Sequence, residues 1–171
     1  FQVKVIKKEK IDKQGGYIRI FISKNKNIKI EKSIKELLDK EMKFGIKQFK
    51  TYESFGKKVY KIRDNVIKNL KKLKIKNESI VGYGAPAKAT TALNFFGISK
   101  EIDYIVEDNK LKHRKFVPGV KIPIFSKQKI SKRKPLVLVL AWNFYKEIKK
   151  DNSKIAKQFV NIKSLETEEF I

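Results

Sequence analysis

Residues 82–88 combine residue types that suit an anion-binding loop at the start of a helix. The segment reads Gly82-Tyr83-Gly84-Ala85-Pro86-Ala87-Lys88 and follows the apolar pair Ile80-Val81. Glycine at a strand-to-helix turn allows positive φ and close approach of a ligand, and proline suits the first turn of a helix. Free N–H groups at a helix N-terminus favour phosphate, and the Lys88 ammonium adds a full charge. The segment therefore predicts a nucleotide-type site.

A plain tight turn is the alternative for the same residues. Gly82-x-Gly84 lacks the third glycine of the dinucleotide-binding fingerprint. Two glycines in a turn also occur where no ligand binds, because glycine is a common turn residue. The local chemistry alone leaves both interpretations open.

Polar residues also follow two other predicted strands. Glu107-Asp108-Asn109 comes directly after Val106, and Trp142-Asn143 follows the apolar run 136–140. Ligands of an open α/β sheet bind beyond the carboxyl ends of its strands, so these segments are expected to line one crevice with residues 82–88. The alternatives are capped turns for Asp108 and Asn109, an N-cap for Asn143 and simple packing for Trp142. The candidate substrate-binding residues are Gly82, Tyr83, Gly84, Ala85, Pro86, Ala87, Lys88, Asp108, Asn109, Trp142 and Asn143.

No part of the sequence forms a convincing catalytic or metal centre. The single histidine, His113, lies in a charged segment and is interpreted as solvated. No cluster of His, Asp and Glu has the spacing of metal ligands, and no serine lies in a nucleophile elbow. We therefore expect a binding function, with no catalytic and no metal-binding residues.

The pattern of apolar residues predicts an α/β fold with a Rossmann-like, mostly parallel sheet flanked by helices. Short strands alternate with helices from residue 79 onward, and the continuous run 136–140 is typical of a central strand covered on both faces. The predicted strands are 80–82, 103–106, 122–124, 136–140 and 160–162, and the predicted helices are 86–96, 144–159 and a short one near Lys127.

Two further structures are predicted before residue 79. Residues 1–8 and 17–23 alternate in polarity around Gly15-Gly16 and predict a β-hairpin. A pair of helices follows: the first ends at Gly45, and the second runs from Lys50 to Leu73. The apolar stripe of the second helix, which begins at Phe55, is predicted to face the core. We expect residues 1–24 to be a linking hairpin and residues 25–171 to be the Rossmann-like domain.

The composition limits the partners and the compartment. The formal charge is +24, but only four of the 42 basic residues are arginine and the lysines are spread along the chain. Arginine is preferred for phosphate and base contacts, so specific nucleic-acid binding is the less favoured alternative. No apolar run is long enough to span a membrane, and the lack of cysteine fits a reducing compartment, so we expect the cytoplasm. The start at Phe1, within strand-like sequence, suggests a piece of a longer protein.

Several segments, taken in order, closely resemble the C-terminal domain of the sugar-nucleotide C-methyltransferases that act on deoxysugars. The upstream segment Gly15–Arg19 is similar to that family's His-Gly-Gly-Ser-hydrophobic-Arg motif, although Gln14 replaces the histidine and Tyr17 the serine. Glu107 replaces an aspartate. The other matching segments are Gly82–Lys88, Leu93–Ile98, Val106–Asn109, Leu111-Lys112, Pro118-Gly119, Ile122–Ile124 and Leu140–Asn143.

This resemblance implies that the chain is the substrate-binding portion of an S-adenosylmethionine-dependent C-methyltransferase acting on a keto-deoxysugar nucleotide or a related acceptor. In that family, a zinc-binding region and a methyltransferase domain precede this domain and carry the reaction centre. S-adenosylmethionine and zinc are therefore expected to bind outside this chain, which alone is expected to be inactive. Gly84–Ala87 and Lys88 are expected to face the charged part of the acceptor. A nucleotide- or NAD-binding module without methyltransferase activity is the alternative.

Overall fold

In the computed structural model of the chain, strands and helices alternate from residue 80 onward. The structure describes residues 2–12, 16–77, 79–130, 134–168 and 170. Gln14 and Gly15 of the predicted hairpin turn lie outside these described residues. The chain divides into two compact units, Phe1–Lys58 and Val59–Ile171.

The first unit contains the predicted hairpin and helices. Strands β1 (Lys4–Ile11) and β2 (Tyr17–Ser23) pair antiparallel, with an irregularity between Val5 and Lys7. Helix α1 (Lys32–Phe44) ends at Gly45, whose φ of 81° is left-handed, as glycine permits. Helix α2 (Phe49–Lys76) begins in this unit.

The first unit buries none of its described hydrophobic side chains. A two-stranded hairpin is at best marginally stable alone, and a large exposed apolar surface marks a site of interaction. This unit therefore presents apolar surface that its own residues do not cover. Its largely exposed members are Val3, Val5, Tyr17, Ile18, Ile20, Ile22, Ile30, Leu38, Met42, Phe44, Phe49, Tyr52 and Phe55.

The second unit is the predicted Rossmann-like fold. Five parallel strands form one sheet in the order β5-β4-β3-β6-β7. Helix α3 (Ala87–Phe96) connects β3 to β4, and helix α4 (Tyr145–Asp151) lies between β6 and β7. The strands are β3 (Ile80–Tyr83), β4 (Tyr104–Val106), β5 (Ile124–Phe125), β6 (Leu136–Val139) and β7 (Gln158–Asn161).

The order of the strands creates a switch point between β3 and β6. The chain passes from β3 through α3 to β4 on one side of β3, whereas β6 pairs with its other side, with Tyr83 opposite Val139. Connections leave these neighbouring strand ends in opposite directions, which opens a crevice where ligands of such sheets bind.

Two layers of apolar side chains cover the sheet. On one face, Leu70 of α2 and Leu93 of α3 pack with Ile80 and Leu138. On the other face, Val81 and Tyr83 pack with strand and α4 residues. Alternate residues of β3 thus enter opposite layers, as the period of a strand requires. The central strands β3 and β6 are buried along their whole length.

The burial of α2 differs from the predicted stripe. Val66, Leu70 and Leu73 are buried as expected, but Phe55 is exposed because it lies in the part of the helix that belongs to the first unit. Within the described ranges, no helix has both the length and the apolar character that crossing a membrane requires.

The predicted helix 144–159 is wrong. A 3-10 turn at Trp142–Phe144 leads into α4, which ends at Asp151. The helix ends at Asn152, whose backbone leaves the helical region (φ −121°, ψ 21°) and whose side-chain Nδ2 donates to the Ile148 carbonyl at 3.0 Å. Strand β7 then begins at Gln158. Near Lys127 there is a 3-10 turn, Lys127–Lys129, rather than an α-helix.

We expect Gly84→Ala to destabilise the chain by about 2–4 kcal/mol. Gly84 has a φ of 86°, and an added Cβ would lie 2.8 Å from the Cβ of Ala141, so left-handed strain and overpacking both contribute. The matched control is Gly97→Ala, where φ is 68° but nothing lies within 4 Å; strain alone predicts about 1–2 kcal/mol there. Urea unfolding measures both, and equal losses would contradict the close approach of Gly84 to Ala141.

Candidate ligand-binding site

A cavity of about 390 Å³ opens at the switch point, where β3, β4 and β6 end. Its walls come from the turn after β3, the segment after β4 and one face of α4. Its volume is in the usual range for small-molecule sites. The lining residues are Tyr83, Gly84, Pro86, Glu107, Asp108, Lys112, Ala141, Phe144, Glu147, Ile148, Asp151 and Asn152.

The last two residues of β3 and the turn into α3, residues 82–86, are referred to here as the elbow, and its two glycines have packing roles. An added Cβ at Gly82 would lie 2.8 Å from Ile105 Cγ1 and 3.0 Å from Leu140 Cδ1. Gly82 is therefore required by the core beneath the sheet. Gly84 turns the chain with positive φ, and its N–H donates to the Val106 carbonyl at 2.8 Å. Both glycines are explained without a ligand.

The Glu107 carboxylate binds the elbow from the end of β4. Its Oε2 accepts from the Ala85 N–H at 2.8 Å, and its Oε1 accepts from the Asn109 N–H at 3.1 Å. Lys112 Nζ lies 3.4 Å from Oε2 and donates to the Ala85 carbonyl at 2.9 Å. Burial opposes ionisation of Glu107, but these N–H groups and Lys112 more than offset it and lower the pKa of the carboxyl group.

These contacts change the interpretation of the elbow as an anion site. The Gly84 and Ala85 N–H groups are already engaged, and Pro86 has no N–H to offer. The chain's own Glu107 carboxylate therefore holds the position at the elbow where an external phosphate was expected.

Tyr83 is a buried hydroxyl at the base of the cavity. It donates to Asp108 Oδ2 at 2.9 Å, and it also contacts the side chain of Asn152. Burial and the negative charge of Asp108 raise the pKa of Tyr83, so the hydroxyl stays protonated. Asp108 also faces Lys127, with 3.6 Å between Oδ1 and Nζ. Tyr83 is thus a fixed hydrogen-bonding group beside a carboxylate that also faces a lysine.

The cavity is acidic although the chain is strongly basic. Four carboxylates and a single lysine, Lys112, line it, in a chain whose formal charge is +24. Glu147 and Asp151 lie one turn apart on α4, and their side chains have no hydrogen-bond or ion-pair partner among the described residues. The cavity therefore offers a ligand mainly acceptors, beside the apolar surfaces of Phe144, Ile148 and Pro86.

The structure brings only some of the predicted binding residues into this cavity. Lys88 and Trp142 lie elsewhere and contact each other: Lys88 Nζ is 4.6 Å from the indole centroid. Lys88 lines an apolar groove between α2 and α3. Trp142 packs against the core layer that contains Leu70 and Leu93. The predicted residues that line the cavity are Tyr83, Gly84, Pro86 and Asp108.

The remaining predicted residues have local roles. Gly82 is buried, and the N–H of Ala85 binds Glu107. The Asn109 side chain caps the 3-10 turn Lys110–Lys112 by accepting from the Leu111 N–H, which is the alternative considered for it. Ala87 and Asn143 are exposed, and Asn143 lies within the turn Trp142–Phe144 rather than at its N-cap.

Sequence reasoning did not select most of the α4 wall. The available signal was the helical spacing 144, 147, 148, 151 and 152, which puts both acidic residues of a lysine-rich helix on one face. Because the helix was predicted to continue to Phe159, Asn152 was not recognised as the residue at which α4 ends. Glu107 lies in a segment predicted to line the crevice but is not among the predicted binding residues, and neither are the other lining residues Lys112, Ala141, Phe144, Glu147, Ile148, Asp151 and Asn152.

The described residues form no cluster of metal-ligating side chains. Across the ranges that the structure describes, no group of three or more His, Asp or Glu side chains could hold a metal ion. His113 is occupied with the backbone, since its Nε2 lies 2.7 Å from the Glu107 carbonyl oxygen. At the elbow, the Ala85 N–H donates to Glu107 and the Gly84 N–H donates to the Val106 carbonyl.

Comparison with known proteins identifies a family. The model of the C-methyltransferase C-terminal domain matches residues 12–162, which include every residue of the cavity. The chain is also 29% identical over 149 residues to C-methyltransferase NovU of Streptomyces niveus, covering 85% of this chain and 36% of that protein. The chain therefore spans about a third of the length of this relative.

We expect Glu107→Gln to reduce the pH dependence of stability. A carboxyl group with a lowered pKa stabilises the fold above its ordinary pKa, and this contribution is lost as the pH falls through the folded-state value. The variant should therefore be less stable than the parent chain by about 1–3 kcal/mol at pH 7, and the gap should narrow towards pH 3.

Urea unfolding at both pH values measures this difference. The matched control is Glu101→Gln, because the Glu101 side chain has no hydrogen bond or ion pair within the described ranges. If the free energy of unfolding differs between Glu107→Gln and the parent chain by the same amount at both pH values, the ionised Glu107 carboxylate does not stabilise the fold.

Proposed function

Because the chain belongs to the family of C-methyltransferase C-terminal domains, we propose that it is the substrate-binding portion of an S-adenosylmethionine-dependent C-methyltransferase. The complete enzyme would methylate a keto-deoxysugar nucleotide or a related acceptor. The observation that carries this proposal is the cavity at the switch point, which lies wholly within the family's matched range. An acceptor would enter it between the elbow and α4.

The chemistry of the cavity favours binding over proton abstraction. Glu107 is held ionised by hydrogen bonds and has a lowered pKa, and Tyr83 is held protonated against Asp108. Neither group has a pKa near neutrality, where a general base is most effective. We place the methyl donor, the zinc and the reacting base in a methyltransferase domain outside this chain.

The uncovered apolar surface of the first unit also supports the presence of a separate methyltransferase domain next to this chain. The hairpin, helix α1 and the first part of helix α2 bury none of their described hydrophobic side chains, so they need a neighbouring surface. In the proposed enzyme, residues 1–24 link this domain to the methyltransferase domain, which covers that surface.

A nicotinamide-cofactor module is disfavoured by the elbow. A dinucleotide places its pyrophosphate on the N–H groups of this turn, but Glu107 already accepts from Ala85. We expect NAD to leave the melting temperature of the chain unchanged, since a ligand stabilises only by binding the folded state. Differential scanning calorimetry tests this at 200 mM NaCl, and a melting temperature that rises with NAD concentration would favour the module.

The proposed function is tested on the complete protein that contains this chain. Incubation with S-adenosylmethionine labelled in its methyl group should transfer label to a carbon of a nucleotide-linked keto-deoxysugar. Glu147→Lys should raise the KM for the sugar substrate about tenfold, because it replaces a carboxylate that can accept a hydrogen bond in the cavity by a cation. The KM of the methyl donor should not change.

Asp64→Lys is the matched control, since it makes the same charge reversal at an exposed position of α2 outside the cavity. Its acceptor KM should stay within about twofold of the parent value, as for an exposed surface substitution. Absence of label in every such acceptor would contradict the function, and an equal rise of KM in both variants would place the acceptor elsewhere.

A further inference from the structure

We propose that the cavity at the switch point receives an uncharged, hydroxyl-bearing part of its ligand and excludes phosphate, with Glu107 as the residue that sets this selectivity. The inference rests on the proposed function, because it concerns the same site. It states which part of a nucleotide-linked sugar enters the cavity. The phosphates would lie outside it.

The position at the elbow where an external anion would bind is already occupied by the Glu107 carboxylate. Glu107 Oε2 and Oε1 accept from the Ala85 and Asn109 N–H groups, at 2.8 and 3.1 Å. A phosphate at the elbow would have to displace a carboxylate that is part of the fold. It would also approach the negative charge of Glu107, which is unfavourable in a partly buried place.

The lysine that lines the cavity already has partners of its own. Lys112 is the single lysine in the lining, and its Nζ donates to the Ala85 carbonyl at 2.9 Å beside Glu107. Lys88, which was expected to face an anion, lies over Trp142 and lines a different groove. A phosphate in the cavity would therefore find no uncommitted ammonium group in its lining.

The cavity groups that remain available to a ligand are hydrogen-bond acceptors. The Glu147 and Asp151 carboxylates have no partner in the described part of the chain, and an ionised carboxylate can only accept hydrogen bonds. Phosphate oxygens are also acceptors, whereas sugar hydroxyls can donate to a carboxylate as well as accept. Phe144 and Ile148 add apolar surface on which the C–H face of a sugar ring can pack.

Two probes separate the two halves of the proposal. Inorganic pyrophosphate represents the charged part of the ligand, and methyl β-D-glucopyranoside represents an uncharged, hydroxyl-bearing part. Amide chemical shifts of the ¹⁵N-labelled chain report each residue separately. This matters because a chain of charge +24 binds anions non-specifically through its surface lysines. Titrations at 200 mM NaCl reduce that background.

In the parent chain, pyrophosphate should leave the Ala85 and Asn109 amides unshifted, and the glycoside should shift those of Phe144 and Asn152. In Glu107→Ala, the freed Ala85 N–H should respond to pyrophosphate with an affinity at least about tenfold higher than in the parent chain. Glu107→Gln keeps an acceptor for Ala85 without the charge and should gain less. A pyrophosphate-induced shift of Ala85 in the parent chain, or no glycoside shift in the cavity, would overturn the proposal.

Methyl transfer by the complete protein is assayed separately. If the protein methylates a nucleotide-linked sugar while pyrophosphate binds the parent elbow, the selectivity of the cavity is wrong and the proposed function stands. If the shifts follow the proposal but no nucleotide-linked sugar is methylated, the function is wrong and the selectivity stands.

Discussion

The Glu107 carboxylate holds together two of the three walls of the cavity, the elbow after β3 and the segment after β4. It bonds the elbow after β3 through Ala85, the turn after β4 through Asn109 and the 3-10 turn through Lys112. The elbow leaves the sheet at the end of β3, whereas Asn109 and Lys112 belong to one segment that leaves it at the end of β4. One partly buried, ionised group therefore ties these two walls of the cavity to each other and adds to their negative charge. The same contacts remove the elbow's donors from any external anion.

The main lines of the fold follow from local pattern and turn chemistry. Strand and helix alternation predicted the parallel sheet, and Gly97 ends α3 in the left-handed conformation that glycine favours. The end of α4 was missed because the Asn152 side chain bonds back to the Ile148 carbonyl there, a competition that apolar spacing does not reveal. Residues that follow β3, β4 and β6 line one cavity, as a switch point in a parallel sheet favours, but the partner of the Ala85 N–H is a residue 22 positions away that local pattern does not indicate.

Several segments that resemble the family have structural roles. Asn94 and Pro118 belong to two of them, and Asn94 Nδ2 donates to the Pro118 carbonyl at 2.8 Å. Gly82 and Gly84 are required by close packing against Ile105 and Ala141. A motif that is shared for packing does not by itself identify a ligand contact. The contacts with a ligand are instead expected on α4, where the sequence carried a weaker signal.

Net charge is a poor guide to this site, because a formal charge of +24 surrounds a cavity lined mainly by carboxylates. Glu107 acts as an ionised internal anion, and a ¹³C NMR titration of its side-chain carboxyl carbon is the decisive test. We expect a pKa below the ordinary value for glutamate. A pKa at or above that value would mean that the N–H groups and Lys112 do not hold the carboxylate, and it would overturn this role of Glu107.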